Sequence, residues 1–271
     1  MNKEYKEKKA TTDKKRLKEY WEVGKGLQKV DGLQTSEFLN EIANGNINGD
    51  YGIDEAVSKV EQYYENDTDT TNETREADIV SARISRILAN DSFTFSPIEL
   101  RSYHKELFED VLPSKWVGRW REQNISKSES VLNGATVMYA GANTIEETLA
   151  YDFNVEKRAK YRLPFTEESL LNLMNFTSSV WQIHPFREGN TRTIAVFTEK
   201  YLLNMGVPVN NDMFEKHSDY FRDALVRNEY QNLSQGISTD SKFLKMFFEN
   251  LLIGGKHDLE SFDLRCEKLF D

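Results

Sequence analysis

The chain has 271 residues, 38% hydrophobic and 30% charged, with a formal net charge of −10, so it can bury a sizeable core and has the polarity of a soluble globular protein. Its longest apolar runs, such as Leu251-Leu252-Ile253, fall far short of the ~20 residues that a membrane span needs. The acidic balance argues against nucleic acid as a partner, because that requires a concentrated basic surface.

The first residues, Met1 to Lys6, have no apolar segment behind their lysines, so a secretory signal is not expected and a cytoplasmic address is. A basic run over 1–16, from Lys3 to Arg16, reads as a solvated tail diluted by Glu4, Glu7 and Asp13. Short helices then follow. Leu17, Tyr20, Trp21 and Leu27 line one apolar face. Thr35 or Ser36 caps a helix through Phe38, Leu39 and Ile42 that Gly45 is expected to stop, and Asp54 caps the next, through Val57, Val60 and Tyr64. The polar stretch Glu65–Glu73 has no apolar period and is expected to be a linker. This divides the chain into an N-terminal helical extension (1–75), a main domain (76–255) and a charged C-terminal tail (256–271).

In the main domain, Ile79, Val80, Ile84, Ile87 and Leu88 recur at helical spacing, and Pro97 suits the first turn of a helix through Leu100, Tyr103, Leu107 and Phe108. Asn133-Gly134 is a hairpin signal, and the strand-like Ala135-Thr136-Val137-Met138-Tyr139 follows it. Helices are expected again at 145–149, 167–181, 191–204, 220–230 and 242–253, the last ended by Gly254-Gly255. The fold class expected is mostly α, with one short β-hairpin and the N-terminal helical extension. Cys266 stands alone, which excludes an internal disulfide and a cysteine-based metal site.

Function concentrates in Ile183-His184-Pro185-Phe186-Arg187-Glu188-Gly189-Asn190-Thr191-Arg192, a polar turn between two helical patterns. A turn that opens a helix presents unpaired N–H groups to an anion. An arginine in the first turn, where the helix dipole favours an acid, points to phosphate as that anion. His184 is the one histidine of four with other reactive groups close by in sequence, so it is the candidate general base. Glu188 could hold Mg²⁺ that bridges phosphates. Gly189-Asn190 can form an anion nest, Arg192 can neutralise phosphate charge, and Phe186 would anchor the loop in the core.

This ordered set resembles the signature of the Fic family, His-x-Phe-x-(Asp/Glu)-Gly-Asn-Gly-Arg-x-x-Arg, through His184, Phe186, Glu188, Gly189, Asn190 and Arg192. The resemblance covers about residues 77–253 and implies a Fic-type helical bundle with a target-docking flap near Gly134–Ala140. It further implies a protein adenylyltransferase that moves AMP from ATP to a Ser, Thr or Tyr hydroxyl. His184 would be the base and Glu188 the Mg²⁺ ligand. Gly189, Asn190, Thr191 and Arg192 would bind the nucleotide, and Thr136, Val137, Met138 and Tyr139 would align the target by strand addition. The implied partners are ATP, a target protein, and a second copy of the chain for self-modification or as a homo-oligomer.

Two positions depart from the signature. Thr191 replaces its second glycine and Ala195 its last arginine, which in the family meets the triphosphate and an inhibitory glutamate. Neither Ser81–Arg86 nor Lys245–Asn250 completes the family's inhibitory motif, (Ser/Thr)-x-x-x-Glu-(Gly/Asn), so the standard glutamate–arginine lock is expected to be missing. Transfer of another phosphate-containing group, or nucleotide binding without turnover, are the alternatives.

Overall fold

A computed structural model describes residues 10–66, 71–207 and 209–270. Much of the expected basic tail and part of the expected linker lie outside these residues. Eleven α-helices form among the described residues. The N-terminal helices are α1 (Lys14–Gly26), α2 (Glu37–Asn48), α3 (Ile53–Asn66) and α4 (Asn72–Ala89). Next come α5 (Pro97–Phe108), α6 (Ile145–Glu156), α7 (Glu167–Ile183) and α8 (Asn190–Asn204). The chain then continues through α9 (Asp212–Lys216), α10 (Ser218–Glu229) and α11 (Lys242–Leu252).

Several boundaries follow capping chemistry. Asp13, Ser36, Thr71, Ser96 and Thr166 each accept a backbone N–H from the first turn of their helix, supplying one of the acceptors that a helix start lacks. Asp13 therefore draws Lys14, Lys15 and Arg16 of the expected tail into α1. Gly45 does not stop α2. It lies under the Tyr51 ring, where a Cβ would come within 2.3 Å of the hydroxyl, and the helix runs on to a left-handed cap at Gly49.

The first three helices do not stand apart from the rest. Leu17, Trp21, Val23, Val57 and Val60 belong to the same hydrophobic core as Phe197 and Phe247. Where α1 crosses α4, a Cβ on Gly24 would meet the Ser81 carbonyl at 2.6 Å. The bare glycine lets the two backbones approach, and Ser81 Oγ and Ser85 Oγ donate to the carbonyls of Gly24 and Tyr20.

The expected hairpin is the main correction. Asn133 and Gly134 do take positive φ (50° and 88°), as their turn signal predicts, but no strand forms around them. Val131 and Leu132 are instead drawn into the core within a 3-10 turn, Ser130–Leu132. The two arms share a backbone contact at the turn, where Glu129 N–H donates to the Ala135 carbonyl at 3.0 Å, but the next step outward, the Lys127 N–H, meets the Thr136 hydroxyl and no ladder continues. Residues 136–139 are extended and alternate, with Val137 buried and Met138 84% exposed. This is strand-like patterning without a partner strand.

Helix α8 lies at the centre, packed by α4, α5, α7 and the 3-10 turn Leu27–Asp31. It buries polar as well as apolar residues, including Arg192, Thr198 and Glu199. Glu199 is fully buried, and neither carboxylate oxygen has a hydrogen-bond partner among the described residues. Burial pushes its pKa up to about 8, opposed by Lys200 and reinforced by Glu19. Between its ordinary value of 4.5 and about 8 the folded state binds the extra proton, so stability falls as pH rises through that window. Glu199→Gln, which cannot ionise, should remove this loss. Thermal melts at pH 5 and pH 8.5 should show a smaller difference in the variant, with a gain at pH 8.5 on the order of a few kcal/mol. Equal pH dependence in both proteins would contradict the assignment.

Candidate functional site

The α7–α8 turn is built from its backbone outward. His184 ends α7 in the left-handed region (φ 51°) and Gly189 starts α8 there (φ 73°). A Cβ on Gly189 would come within 2.4 Å of the Phe108 ring, so both conformation and space require glycine. Asn190 closes the loop: its Oδ1 accepts from Phe186 N at 2.9 Å and its Nδ2 donates to Phe186 O at 3.0 Å. Phe186 is fully buried and stacks on His104 at 3.9 Å.

Because Gly189 has no side chain, α8 has no side-chain cap. The first intrahelical bond runs from Thr193 N to Gly189 O, which leaves the N–H groups of Asn190, Thr191 and Arg192 without an acceptor among the described residues. Unpaired donors at the positive end of a helix dipole form an anion site. Glu188 is exposed beside them, and among the described residues its carboxylate accepts one hydrogen bond, from the Gly189 N–H. No group of three or more metal-ligating side chains gathers among the described residues. A lone free carboxylate fits Mg²⁺ carried in by phosphates, since that ion is usually held by one or two carboxylates plus substrate oxygens.

His184 is 6% exposed, with its ring 4.2 Å from Tyr139 and 5.5 Å, edge-on, from Trp181. Nδ1 faces the Trp181 carbonyl at 3.3 Å. A carbonyl can only accept, so Nδ1 carries the proton and Nε2 keeps its lone pair. Burial lowers the pKa to about 3, with Lys127 adding to the effect, so the ring is neutral at physiological pH. Trp181 also joins the two ends of the site, because its Nε1–H donates to Thr191 Oγ1 at 3.0 Å. The threonine that replaces glycine thus has a bonding role of its own.

Arg192 does not face an open site. It is 1% exposed, and its guanidinium lies over the Phe108 ring at 4.8 Å. Its terminal nitrogens reach Glu76 at 2.7 Å and Gln28 at 3.1 Å. Nε is 2.9 Å from Asp31, at ion-pair distance but off the hydrogen-bond axis. The motif arginine is therefore neutralised by Asp31 of the Leu27–Asp31 turn and Glu76 of α4, although no complete inhibitory motif is present in the sequence. Glu249, from the second incomplete motif, turns instead to Lys245 and His257. Ala195 is fully buried. Of the flap residues, Tyr139 covers His184, Val137 is buried, Met138 is anchored by Gln182 Nε2 on its carbonyl, and Thr136 caps Lys127 N.

Two further residues, Arg121 and His104, hold the loop from outside it. Arg121 is buried and donates to the carbonyls of His184 (2.7 Å), Gln123 (2.8 Å), Ala140 (2.5 Å) and Ile183 (3.2 Å), tying flap to loop. His104 accepts the Gly118 N–H on Nδ1, so its Nε2–H donates to Glu188 O at 3.1 Å. Burial keeps it neutral, with a pKa lowered to about 4. Nothing local in the sequence marks Arg121, and His104 reads there as a structural residue of the amphipathic Leu100–Phe108 segment; the particular backbone groups that both serve are distant in the chain. Behind the flap, Glu129 is buried, pairs with Arg222 and accepts from Tyr139 Oη.

Residues 94–202 match the family model described as the Fic/DOC family, a span that begins just before α5 and contains the whole loop. Over that segment the chain is similar to the Fic/DOC family. Among solved structures it resembles a Fic family protein from Desulfovibrio desulfuricans G20, with a TM-score of 0.52 at 15% identity, over 86% of this chain and 62% of that one. It also matches the N-terminal FIC domain of the Bep8 protein, a VirB-translocated effector from Bartonella sp. 1-1C, with a TM-score of 0.49 at 18% identity, over 68% of this chain and 88% of that one. No curated protein matches the chain. The helical fold, with almost no strand among the described residues, agrees with the first likeness.

Because Arg121 serves four carbonyls at once, Arg121→Ala should lower stability by ~3 kcal/mol. Arg121→Lys should recover less than half of that, since an ammonium lacks the planar fork. Urea unfolding midpoints check this. An unchanged midpoint in both variants would mean that the loop is held by other contacts.

Proposed function

We propose that the chain is a protein adenylyltransferase that moves AMP from ATP to a hydroxyl side chain of a target protein. The observation that carries this reading is the uncapped start of α8, where three unpaired N–H groups adjoin a histidine with a free Nε2 and an exposed acid. In this scheme the triphosphate lies against the N–H groups of residues 190–192, and His184 Nε2 takes the proton of a Ser, Thr or Tyr hydroxyl. The oxygen forms a bond to the α-phosphorus while the bond to the β-bridging oxygen breaks, and pyrophosphate leaves. Fixed N–H dipoles suit the charge that develops in such a transfer. Glu188 would hold Mg²⁺, which would neutralise phosphate charge. Tyr139 must lift from His184 before a hydroxyl can reach it, and the extended 136–139 segment could then pair with target backbone.

A second reading, nucleotide binding without turnover, is favoured by two observations: Ala195 stands where the last motif arginine would be, and Arg192 is already paired with acids. The chemistry separates the two. Purified protein incubated with lysate, Mg²⁺ and ATP labelled at the α-phosphate should transfer label to protein, and His184→Ala should reduce the rate ~10²–10⁴-fold. Label from the γ-phosphate alone would establish phosphoryl transfer instead. Nucleotide binding with no transfer from either label would support the second reading.

A further inference from the structure

Beside the motif loop lies a cleft of about 460 Å³, lined by Lys115, Trp116, Arg119, Trp120, Glu122 and the loop's own Arg187. Lys115 and Arg187 both lie over the Trp116 ring, at 5.7 and 5.8 Å, and Arg101 of α5 lies 5.7 Å from the Trp120 ring. None of these four cations has an acidic partner among the described residues, whereas Arg83, Arg86, Arg192 and Arg222 are all paired. On a chain with a net charge of −10, three unpaired cations that line one cleft, with Arg101 adjoining it across Trp120, need an explanation. Arg121 also lines the cleft, but its donors are spent on carbonyls.

We infer that this cleft binds an acidic peptide segment. Resting on the protein-directed chemistry proposed above, it selects targets whose modified hydroxyl is flanked by Asp or Glu. Guanidinium forks match carboxylates, and cations lying over indole rings are held in place with less ordering left to do on binding. Single-stranded nucleic acid fits less well. It needs open aromatic faces for its bases, and cations already lie over both rings. The net charge of the chain and Glu122 in the cleft wall also oppose a long polyanion. The placement is direct, because Arg187 is three residues from His184 and one from Glu188.

The test is binding without nucleotide, so that it stands or falls separately from the transfer reaction. A fluorescent hexaglutamate peptide, a hexaglutamine peptide and an oligothymidylate are titrated against the full chain by anisotropy. Hexaglutamate should bind at least ~10-fold more tightly than hexaglutamine and weaken as salt rises. The double variant Lys115→Glu/Arg119→Glu, both positions exposed, should lose at least ~10-fold in affinity with an unchanged melting temperature. Lys15→Glu/Lys18→Glu on α1 should lose little. Equal binding of the two peptides, equal binding by the cleft variant, or tighter binding of the oligothymidylate would each overturn the inference. If hexaglutamate binds but the α-label never transfers, the adenylyltransferase reading fails and the peptide site stands.

Discussion

The double hydrogen bond between the Asn190 carboxamide and the Phe186 backbone is the interaction on which the site depends. It satisfies an amide and a carbonyl inside the loop from within the loop. The asparagine side chain therefore points backwards, and the cap position falls to Gly189. Helix α8 accordingly begins without a side-chain acceptor, and its dipole ends at unpaired N–H groups. Had the cap been Ser or Asp, the same donors would be filled from within. Burial of Phe186 against His104, and of Gly189 against Phe108, holds the loop in this form.

Everything around the loop is arranged to leave it no slack. Arg121 takes up carbonyls on both the flap and the loop, His104 fixes the Glu188 carbonyl, and Trp181 spans from His184 to Thr191. The N-terminal helices reach the same place from the other side, because the close crossing of α1 on α4 brings Gln28, Asp31 and Glu76 to Arg192. Breaking one partner of a buried ion pair is costly, so nucleotide binding at Arg192 would have to compete with these acids. The extension is therefore coupled to the site through charge as well as through the shared core.

Much of this was legible in the sequence because it depends on local chemistry. Helical spacing of Leu17, Trp21, Val57, Ile84 and Phe108 places the main helices, and the order of His184, Phe186, Glu188, Gly189 and Asn190 marks the turn. What stayed hidden depends on distant partners. Nothing in the spacing of Arg192 says that Asp31 and Glu76 will neutralise it, or that Arg121 will serve the carbonyl of a histidine 63 residues away. The hairpin failed for a related reason. Asn133-Gly134 and the alternation through Tyr139 are local signals, but Val131 and Leu132 enter the core within a 3-10 turn, and the arms make no ladder beyond the Glu129–Ala135 contact. Gly45 looked like a stop because composition cannot show the Tyr51 ring lying against it.

The most direct test of the central claim is a backbone amide NMR titration with Mg²⁺ and ATP. The largest amide shifts should fall on Asn190, Thr191 and Arg192, with smaller changes at Tyr139 as the flap lifts. Saturable binding whose shifts leave residues 189–192 unmoved would contradict the assignment of the α8 N-terminus as the phosphate site.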